Sequence, residues 1–168
     1  VMRKISYLFI ITTVLICLAA CQASTSVPYT SQDLVGTWKC GPTPMYGPGF
    51  TITLITNTVR REDGKFTSRL EAEVEEYGKK PITNIDTIEG TWALNGDVYV
   101  ETINSATFIS STDPSMTAEK GQVIANRELQ KTRIYKNRVL KVEKELVITI
   151  PFDGNYKEAE VELVCNRA

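Results

Sequence analysis

Residues 50–75 read FTITLITNTVRREDGKFTSRLEAEVE, a segment in which apolar and polar side chains alternate on both sides of a turn. In its second half the apolar residues are Phe66, Leu70, Ala72 and Val74. A repeat of two residues is typical of a β-strand with one buried face. Asp63-Gly64 separates the two strands, and a three-residue loop with Gly64 in the left-handed conformation pairs Arg60 with Phe66. The segment predicts an antiparallel hairpin with one apolar face.

Runs with the same repeat follow in most of the chain from Leu34 onward. They cover residues 34–40, 82–94, 97–109, 140–150 and 159–165. In the run 140–150, the apolar face consists of Leu140, Val142, Leu146, Ile148 and Ile150. Residues 115–127, which follow Asp113-Pro114 as a helix start, predict a short helix or lid before a strand near 129–136. The fold class is therefore all-β, an antiparallel up-and-down barrel of about eight strands.

The hairpin over residues 82–109 has two possible registers. A two-residue type I′ turn at Asn95-Gly96 pairs Trp92 with Tyr99, pairs Ile88 with Ile103 and directs Glu101 inward. A loop one residue longer turns Val98 and Val100 inward instead, because a slip of one residue exchanges the two faces. We favour the tighter turn.

The N-terminus has the features of an export signal. Arg3 and Lys4 precede an apolar run, residues 5–20, that is shorter than a membrane-spanning helix requires. The run ends in Leu18-Ala19-Ala20-Cys21, which resembles a bacterial lipobox. The resemblance implies a signal peptide over 1–20, palmitate or another acyl chain on Cys21, and, with Gln22 next, an outer-membrane location. The alternative is an ordinary signal peptide with a chance cysteine.

The segments after this signal are a tether and one domain. Residues 21–33 carry no hydrophobic period and predict a flexible tether, followed by a barrel domain over 34–168. Cleavage of the predicted signal peptide removes Cys17, and the predicted lipidation uses the thiol of Cys21. Cys40 and Cys165 are therefore the two cysteines that remain to form a bond. Disulfides persist in exported proteins, and we predict that these two are bonded; the alternative is two free buried thiols.

A short motif occurs twice in the domain. Leu34-Val35-Gly36-Thr37-Trp38 is repeated as Ile88-Glu89-Gly90-Thr91-Trp92. Together with the strand pattern, this resembles the bacterial lipocalin-like domains over roughly residues 33–167. The resemblance implies an arginine packed on the first tryptophan, for which Arg167 is the candidate. Physically, Gly36 and Gly90 leave room for a neighbouring indole, and Trp38 and Trp92 plug one end of a barrel more readily than they contact ligand.

Composition excludes several function classes. The chain has 19 basic and 20 acidic residues, a net charge of -1 and no histidine. Nucleic-acid binding needs a basic excess, and Ser-His or Cys-His catalysis and imidazole metal sites need histidine. No carboxylate pair, metal motif or nucleophile defines an active site, so we predict no enzyme, no metal site and no cofactor.

Candidate ligand-binding residues lie at two places. Met45 and Tyr46 belong to a Gly- and Pro-rich segment, 41–49, expected as a mouth loop; the alternative is a stiff structural closure. Four inward polar residues are expected to line the cavity: Asn84, Asp86, Tyr99 and Glu101. Lys144 is expected either to neutralise a carboxylate or to turn outward at a bulge. The alternative for the polar set is solvated strand ends.

Two binding functions fit these features, and an envelope-structural role without a specific ligand is a third alternative. The first is a membrane-anchored lipoprotein on the periplasmic face of the outer membrane whose barrel binds a small apolar or amphipathic ligand. The second is a protein-binding lipoprotein, an inhibitor or immunity-type module that contacts an envelope protein and has a solid barrel core. An open interior favours the first and a filled interior the second.

Overall fold

The computed structural model describes residues 28–131, 133–152 and 161–168. Within them, eight antiparallel strands form a closed barrel in sequence order, the last pairing with the first. The strands are β1 (Gly36–Gly47), β2 (Phe50–Arg60), β3 (Lys65–Glu76), β4 (Ile82–Asn95), β5 (Val98–Ser111), β6 (Ile134–Glu143), β7 (Leu146–Pro151) and β8 (Leu163–Arg167). Helix α1 (Ser31–Leu34) precedes β1, and helix α2 (Ala118–Lys131) connects β5 to β6. The predicted barrel is confirmed.

The hairpin of β2 and β3 has the predicted register. Arg60 pairs with Phe66, and the amide of Arg61 donates to the carbonyl of Lys65 at 2.9 Å. Gly64 has φ of +74°, which glycine adopts at little steric cost. The alternation in residues 50–75 was therefore enough to predict both the turn and the pairing.

The hairpin of β4 and β5 has the predicted faces but not the predicted register. Its turn residues are Gly96 and Asp97, so Trp92 pairs with Glu101 and not with Tyr99. Gly96 has φ of +64°, and the first position of a two-residue hairpin turn requires a positive φ. The predicted pairing was wrong by two residues, a shift that leaves the two faces unchanged.

A bulge in this hairpin moves a second predicted pairing still further. The register shifts by one residue between Glu89 and Gly90, and this adds to the offset of the turn, so Ile88 lies opposite Ala106 and not Ile103. An extra residue in one strand bends the strand at that point. Beyond the bulge β5 runs apart from β6, with which it pairs only over residues 98–102.

Helix α2 covers the part of β5 that β6 does not reach. The side-chain amide of Gln122 donates to the carbonyl of Ala106 at 2.8 Å and accepts from the amide of Phe108 at 3.0 Å. Gly121 permits this approach, because a Cβ there would lie 2.4 Å from the Phe108 ring. The side chain of Gln122 thus replaces hydrogen bonds that a neighbouring strand would make.

The predicted helix is present, but its bounds differ from 115–127. The carboxylate of Asp113 accepts from the amide of Ser115 at 2.8 Å in a separate turn, and Thr117 Oγ1 accepts from the amide of Lys120 at 3.3 Å. The helix therefore begins at Ala118 rather than directly after Pro114. It continues to 131, so the following strand begins at 134 and not near 129.

The run 140–150, predicted as one strand, is a hairpin whose turn contains Lys144. A register shift between Val139 and Lys141 exchanges the faces, and Val139 and Val147 are the buried residues. Leu140 is exposed, and alternation places Leu146, Ile148 and Ile150 outward. The predicted inward set was wrong at these four positions, because a bulge and a two-residue turn interrupt the pattern without changing its apolar character.

The barrel closes as predicted, between its first and last strands. Cys40 lies opposite Cys165 in the pairing of β1 with β8, and a disulfide joins them. The predicted disulfide is confirmed.

Both motif tryptophans belong to the core at one end of the barrel. Trp38 is fully buried and its Nε1 donates to the carbonyl of Leu34 at 2.9 Å, while Trp92 is 7% exposed. The glycines do not make room for an indole as expected. A Cβ on Gly36 would lie 2.5 Å from Nη1 of Arg167, and one on Gly90 would lie 2.0 Å from the carbonyl oxygen of Thr102.

The segment before β1 contacts the barrel over part of the predicted tether. The hydroxyl of Tyr29 donates to the carbonyl of Val139 at 3.0 Å, and α1 occupies residues 31–34. Packing therefore begins at least five residues before Leu34. The predicted signal peptide, Cys21 and tether residues 22–27 lie outside the described residues, and those predictions stand as such.

Candidate functional site

The interior of the barrel has two different halves. The closed half is centred on Leu34, Trp38, Phe66 and Val147, all fully buried. Farther along β2, β3 and β4, alternation directs the even-numbered side chains inward. These inward side chains are aliphatic and only half-buried at Ile52, Leu54, Leu70, Ala72, Val74 and Ile88, a set that we call the open half. A solidly packed barrel would bury them, so this half is packed less tightly than the closed half.

A group of buried polar side chains begins at the inner end of the open half and extends into the closed half, where Arg60 pairs with Phe66. The hydroxyls of Thr58 and Ser68 are 2.8 Å apart on facing positions of β2 and β3. Arg60 is one inward position closer to the closed end and is 7% exposed. Tyr99 and Glu101 approach it from β5, and we call these five residues the polar layer. Burial of polar groups is costly unless they make polar contacts, so the contacts within this layer need to be described.

Three members of the polar layer form a hydrogen-bond relay. Nε of Arg60 donates to the hydroxyl of Tyr99 at 2.8 Å, and that hydroxyl donates to Oε1 of Glu101. The guanidinium carbon also lies 4.5 Å from the centre of the Tyr99 ring. Nη2 of Arg60 is 4.0 Å from Oε1 of Glu101, so the two charges form a partly buried ion pair beside the phenol that bonds to both.

The relay leaves one nitrogen without a partner. Nη1 of Arg60 is buried and makes no hydrogen bond. A buried charged donor without an acceptor is costly, and such groups in native proteins call for an explanation. Burial, reinforced by the Glu101 carboxylate and partly opposed by Arg60, holds the pKa of Tyr99 well above its usual value. Tyr99 therefore remains a neutral donor to Glu101 at physiological pH.

Asn84 and Asp86 lie in the open half, away from the relay. On β4 they pair with Ala72 and Leu70, respectively, so they interrupt an otherwise aliphatic wall. Oδ1 of Asn84 is buried and makes no hydrogen bond. Burial raises the pKa of the Asp86 carboxyl. Both face the interior as predicted, but they belong to a different level from Tyr99 and Glu101.

Met45 and Tyr46 are on a strand and not on a mouth loop. β1 continues through Gly47, so only Pro48 and Gly49 connect it to β2, and the predicted loop over 41–49 was wrong. A register shift after Cys40 keeps this segment in the sheet, where Met45 pairs with Ile52. Met45 thus joins the open half, whereas Tyr46, on the opposite face, is 81% exposed.

Sequence reasoning missed Arg60, the central cation of the site. The signal was present, because the correctly predicted pairing with Phe66 places Arg60 on the inward face. Lys144, by contrast, is exposed in the β6–β7 turn, where its carbonyl accepts from Nε of Arg167 at 2.7 Å. It does not contact the interior carboxylates, and the alternative that it turns outward is the correct one.

Comparison with known proteins identifies no relative: no protein-family model matches the chain, and no curated protein matches it. In the part of the chain that the structure describes, no cluster of acidic or cysteine side chains is arranged to hold a metal ion. Over the same residues, neither helix has the length and apolar character needed to cross a bilayer.

Proposed function

We propose that this chain is a non-enzymatic, lipid-anchored protein of the bacterial outer membrane whose barrel faces the periplasm and binds a small amphipathic molecule. The observation that carries the proposal is the contrast inside the barrel between the half-buried aliphatic wall and the buried polar layer below it. The lipobox-like sequence at Cys21 supports the anchor. The resemblance to lipocalin-like domains agrees with a binding role.

The physical basis is a division of the ligand into two parts. An apolar tail along Leu54, Leu70 and Ile88 gains about 0.8 kcal/mol for each methylene removed from water. A polar group at the other end meets hydrogen-bonding side chains at the level of Thr58 and Ser68. The hydroxyls of Thr58 and Ser68 bond to each other, but Oδ1 of Asn84 is buried without a partner. A wholly apolar ligand would leave that acceptor unsatisfied and is therefore disfavoured.

Binding of N-phenyl-1-naphthylamine, a neutral fluorophore with two apolar ring systems and one N–H donor, tests the proposal. Ala72 is half-buried on the inward face of β3, so Ala72→Phe fills the open half and should weaken binding about tenfold or more. Ala93 is exposed on β4, so Ala93→Phe makes the same chemical change outside the barrel and serves as the control. Failure of the unmodified chain to bind the probe, or equal binding by both variants, would contradict an interior site.

A second candidate function, protein binding, is favoured by aromatic side chains at the rim of the open half. Tyr46 and Tyr77 are 81% and 98% exposed, and the amide of Tyr77 donates to the carbonyl of Gly49, which joins the two turns. Exposed tyrosines are frequent anchors in protein interfaces. An envelope protein captured by the native chain but not by Tyr46→Ser/Tyr77→Ser, together with no probe binding, would favour an inhibitor or immunity-type module.

A further inference from the structure

Two neighbouring inward side chains of β4 offer acceptors that no donor among the described residues uses. Oδ1 of Asn84 is buried and, within that part of the chain, makes no hydrogen bond. Asp86 lies two residues farther along the strand on the same face, with its Cα about 7 Å from that of Asn84. Its carboxylate likewise forms no hydrogen bond or ion pair within the described ranges. Buried acceptors without donors are costly, so this pair of side chains calls for an explanation.

The charge of Asp86 is not matched from the neighbouring strands. The inward positions of the open half on β2 to β5, all of them described, hold no lysine or arginine. Arg60 pairs with Phe66, which is four residues along β3, or about 13 Å, from the Asp86 partner Leu70. Arg60 also has Glu101 at 4.0 Å. Burial raises the pKa of the Asp86 carboxyl, and a positive group beside it would favour the charged form.

The neighbours of the two acceptors suit the hydrocarbon part of a ligand. On the two adjacent strands, Asp86 pairs with Leu70 and Phe108. Asn84 pairs with Ala72, beyond which the aliphatic side chains of the open half continue on β2. A molecule with one positive group at the acceptors can therefore bury an alkyl chain against this wall. Phe108 adds an aromatic ring, and such rings attract cations.

The two acceptors also select the form of the positive group. A primary ammonium has three N–H donors, enough for the Asp86 carboxylate and for Oδ1 of Asn84 together. A quaternary ammonium carries the same charge without an N–H donor, so it would leave Oδ1 of Asn84 unsatisfied. A carboxylate would be repelled by Asp86 and has no donor for either residue.

We propose that Asp86 and Asn84 bind the ammonium group of an aliphatic primary amine whose chain lies in the open half. This inference rests on the proposed ligand-binding function and names the chemical class of the ligand. The hydrogen bond to Asp86 is charge-assisted, and its partial burial strengthens it. Asp86 thus selects the charge of the ligand, and Asn84 selects an ammonium that has N–H donors.

Displacement of N-phenyl-1-naphthylamine at pH 7 by four ligands of equal chain length, below their micelle concentrations, tests the inference. Aliphatic amines, like lysine, are protonated at this pH. Dodecylammonium should displace the probe from the native chain at a concentration about tenfold lower than dodecan-1-ol does. Dodecyltrimethylammonium should lie between these two, because it has the charge without the donors. Dodecanoate should displace the probe no better than dodecan-1-ol.

Three variants locate the site. Asp86→Asn keeps the shape of the side chain and removes its charge, so it should abolish the preference for dodecylammonium while leaving displacement by dodecan-1-ol in place. Glu89→Gln neutralises an exposed carboxylate on the outward face of the same strand and is the matched control, which should retain the preference. Asn84→Leu removes the second acceptor and should reduce the difference between dodecylammonium and dodecyltrimethylammonium several-fold.

The outcomes separate this inference from the proposed function. Equal displacement by dodecylammonium and dodecan-1-ol from the native chain, or an unchanged preference in Asp86→Asn, would overturn the ammonium site and leave the proposed function standing. Loss of the preference in Glu89→Gln would place the amine on the outer surface and overturn the site as well. Should Asp86→Asn fail to fold, the native chain and Asn84→Leu still decide the question. Failure of the probe and all four ligands to bind would overturn both proposals.

Discussion

The guanidinium of Arg167 lies over the indole of Trp38, with Cζ 4.3 Å from the ring centre. The same guanidinium donates to the carbonyls of Val35 and Asp33 at 3.1 and 3.3 Å, and Nε donates to the carbonyl of Lys144. One side chain from the last strand therefore links the N-terminal segment, the core indole and the β6–β7 turn. The contact expected from the resemblance to lipocalin-like domains is present.

Arg167→Met should lower the free energy of unfolding by about 2–3 kcal/mol, since it removes a cation–π contact and several charge-assisted hydrogen bonds. Urea denaturation followed by tryptophan fluorescence measures the change. Arg69→Met, at an exposed position, should change the free energy of unfolding by less than about 0.5 kcal/mol. Equal effects of the two substitutions would contradict a structural role for the Arg167 stack.

Removal of the disulfide should destabilise the barrel strongly. Cys40 and Cys165 are 125 residues apart in sequence, and the entropy of closing so long a loop corresponds to about 4–5 kcal/mol in the chain-entropy model. Denaturant midpoints of the oxidised chain and of Cys40→Ala/Cys165→Ala provide the comparison. An unchanged midpoint would mean that the hydrogen bonds between β1 and β8 close the barrel unaided.

Tyr99 should make stability fall at alkaline pH. Its pKa is raised in the folded state, so above the ordinary tyrosine value, near 10, the unfolded chain loses the phenolic proton first. Below that pH, the phenol of Tyr99 makes its full contribution to the free energy of unfolding. As the pH rises toward the folded-state pKa, this contribution decreases by up to about 1.4 kcal/mol per pH unit. Urea denaturation between pH 9 and 11 should show a shallower decrease for Tyr99→Phe than for the native chain.

Part of the alkaline decrease should remain in Tyr99→Phe. Burial also raises the pKa values of Tyr29 and Tyr135. Tyr46 is 81% exposed, so Tyr46→Phe is the control and should leave the native pH dependence unchanged. Identical curves for the native chain and Tyr99→Phe would show that Tyr99 ionises freely in the fold.

Gly90→Ala should destabilise the barrel by about 2–4 kcal/mol. The added Cβ would lie 2.0 Å from the carbonyl oxygen of Thr102 and 2.9 Å from the Phe66 ring, so strands β4 and β5 would have to separate. Gly78→Ala, in an open turn with φ of +74°, carries only backbone strain and should cost about 1 kcal/mol. Thermal unfolding of both variants measures the difference, and a smaller effect at Gly90 would refute the close approach.

The proposed anchor makes a prediction that is independent of the barrel. Cys21→Ala should abolish incorporation of labelled palmitate and release the chain from the membrane fraction, because the acyl chains are the proposed attachment. Cys17→Ala, within the proposed signal peptide, is the control and should still be labelled. Labelled Cys21→Ala would disprove lipidation at that residue.

The parts of the fold that were predicted correctly depend on local pattern. Alternation in residues 50–75 fixes which side chains share a face, and the turn at Gly64 then leaves one register for Arg60 and Phe66. The positions of Cys40 and Cys165 on apolar faces of the first and last strands likewise predicted their bond. Each of these inferences needed only the period of the sequence and the chemistry of a few turn or cysteine residues.

The incorrect predictions share a physical cause. The bulges near Gly90 and Lys141 shift the pairing by one residue, and their places depend on how a closed sheet bends. The apolar pattern of residues 140–150 is the same whether the residues form one strand or two strands joined by a turn. Helix α2 ends close to the point where β5 and β6 begin to pair. The amino-acid sequence of the helix does not itself specify this end.

The amino-acid sequence by itself determined that the chain is a strand-rich barrel, which residues of β2 and β3 face inward, and which cysteines join, because side-chain alternation is a local property. Only the tertiary structure decided that Arg60 meets Tyr99 and Glu101, since these residues lie on strands separated by about forty positions and become neighbours only when the sheet curls and closes. It also decided which inward side chains are buried and which remain accessible, because burial depends on what lies across the barrel and not on what lies next along the chain.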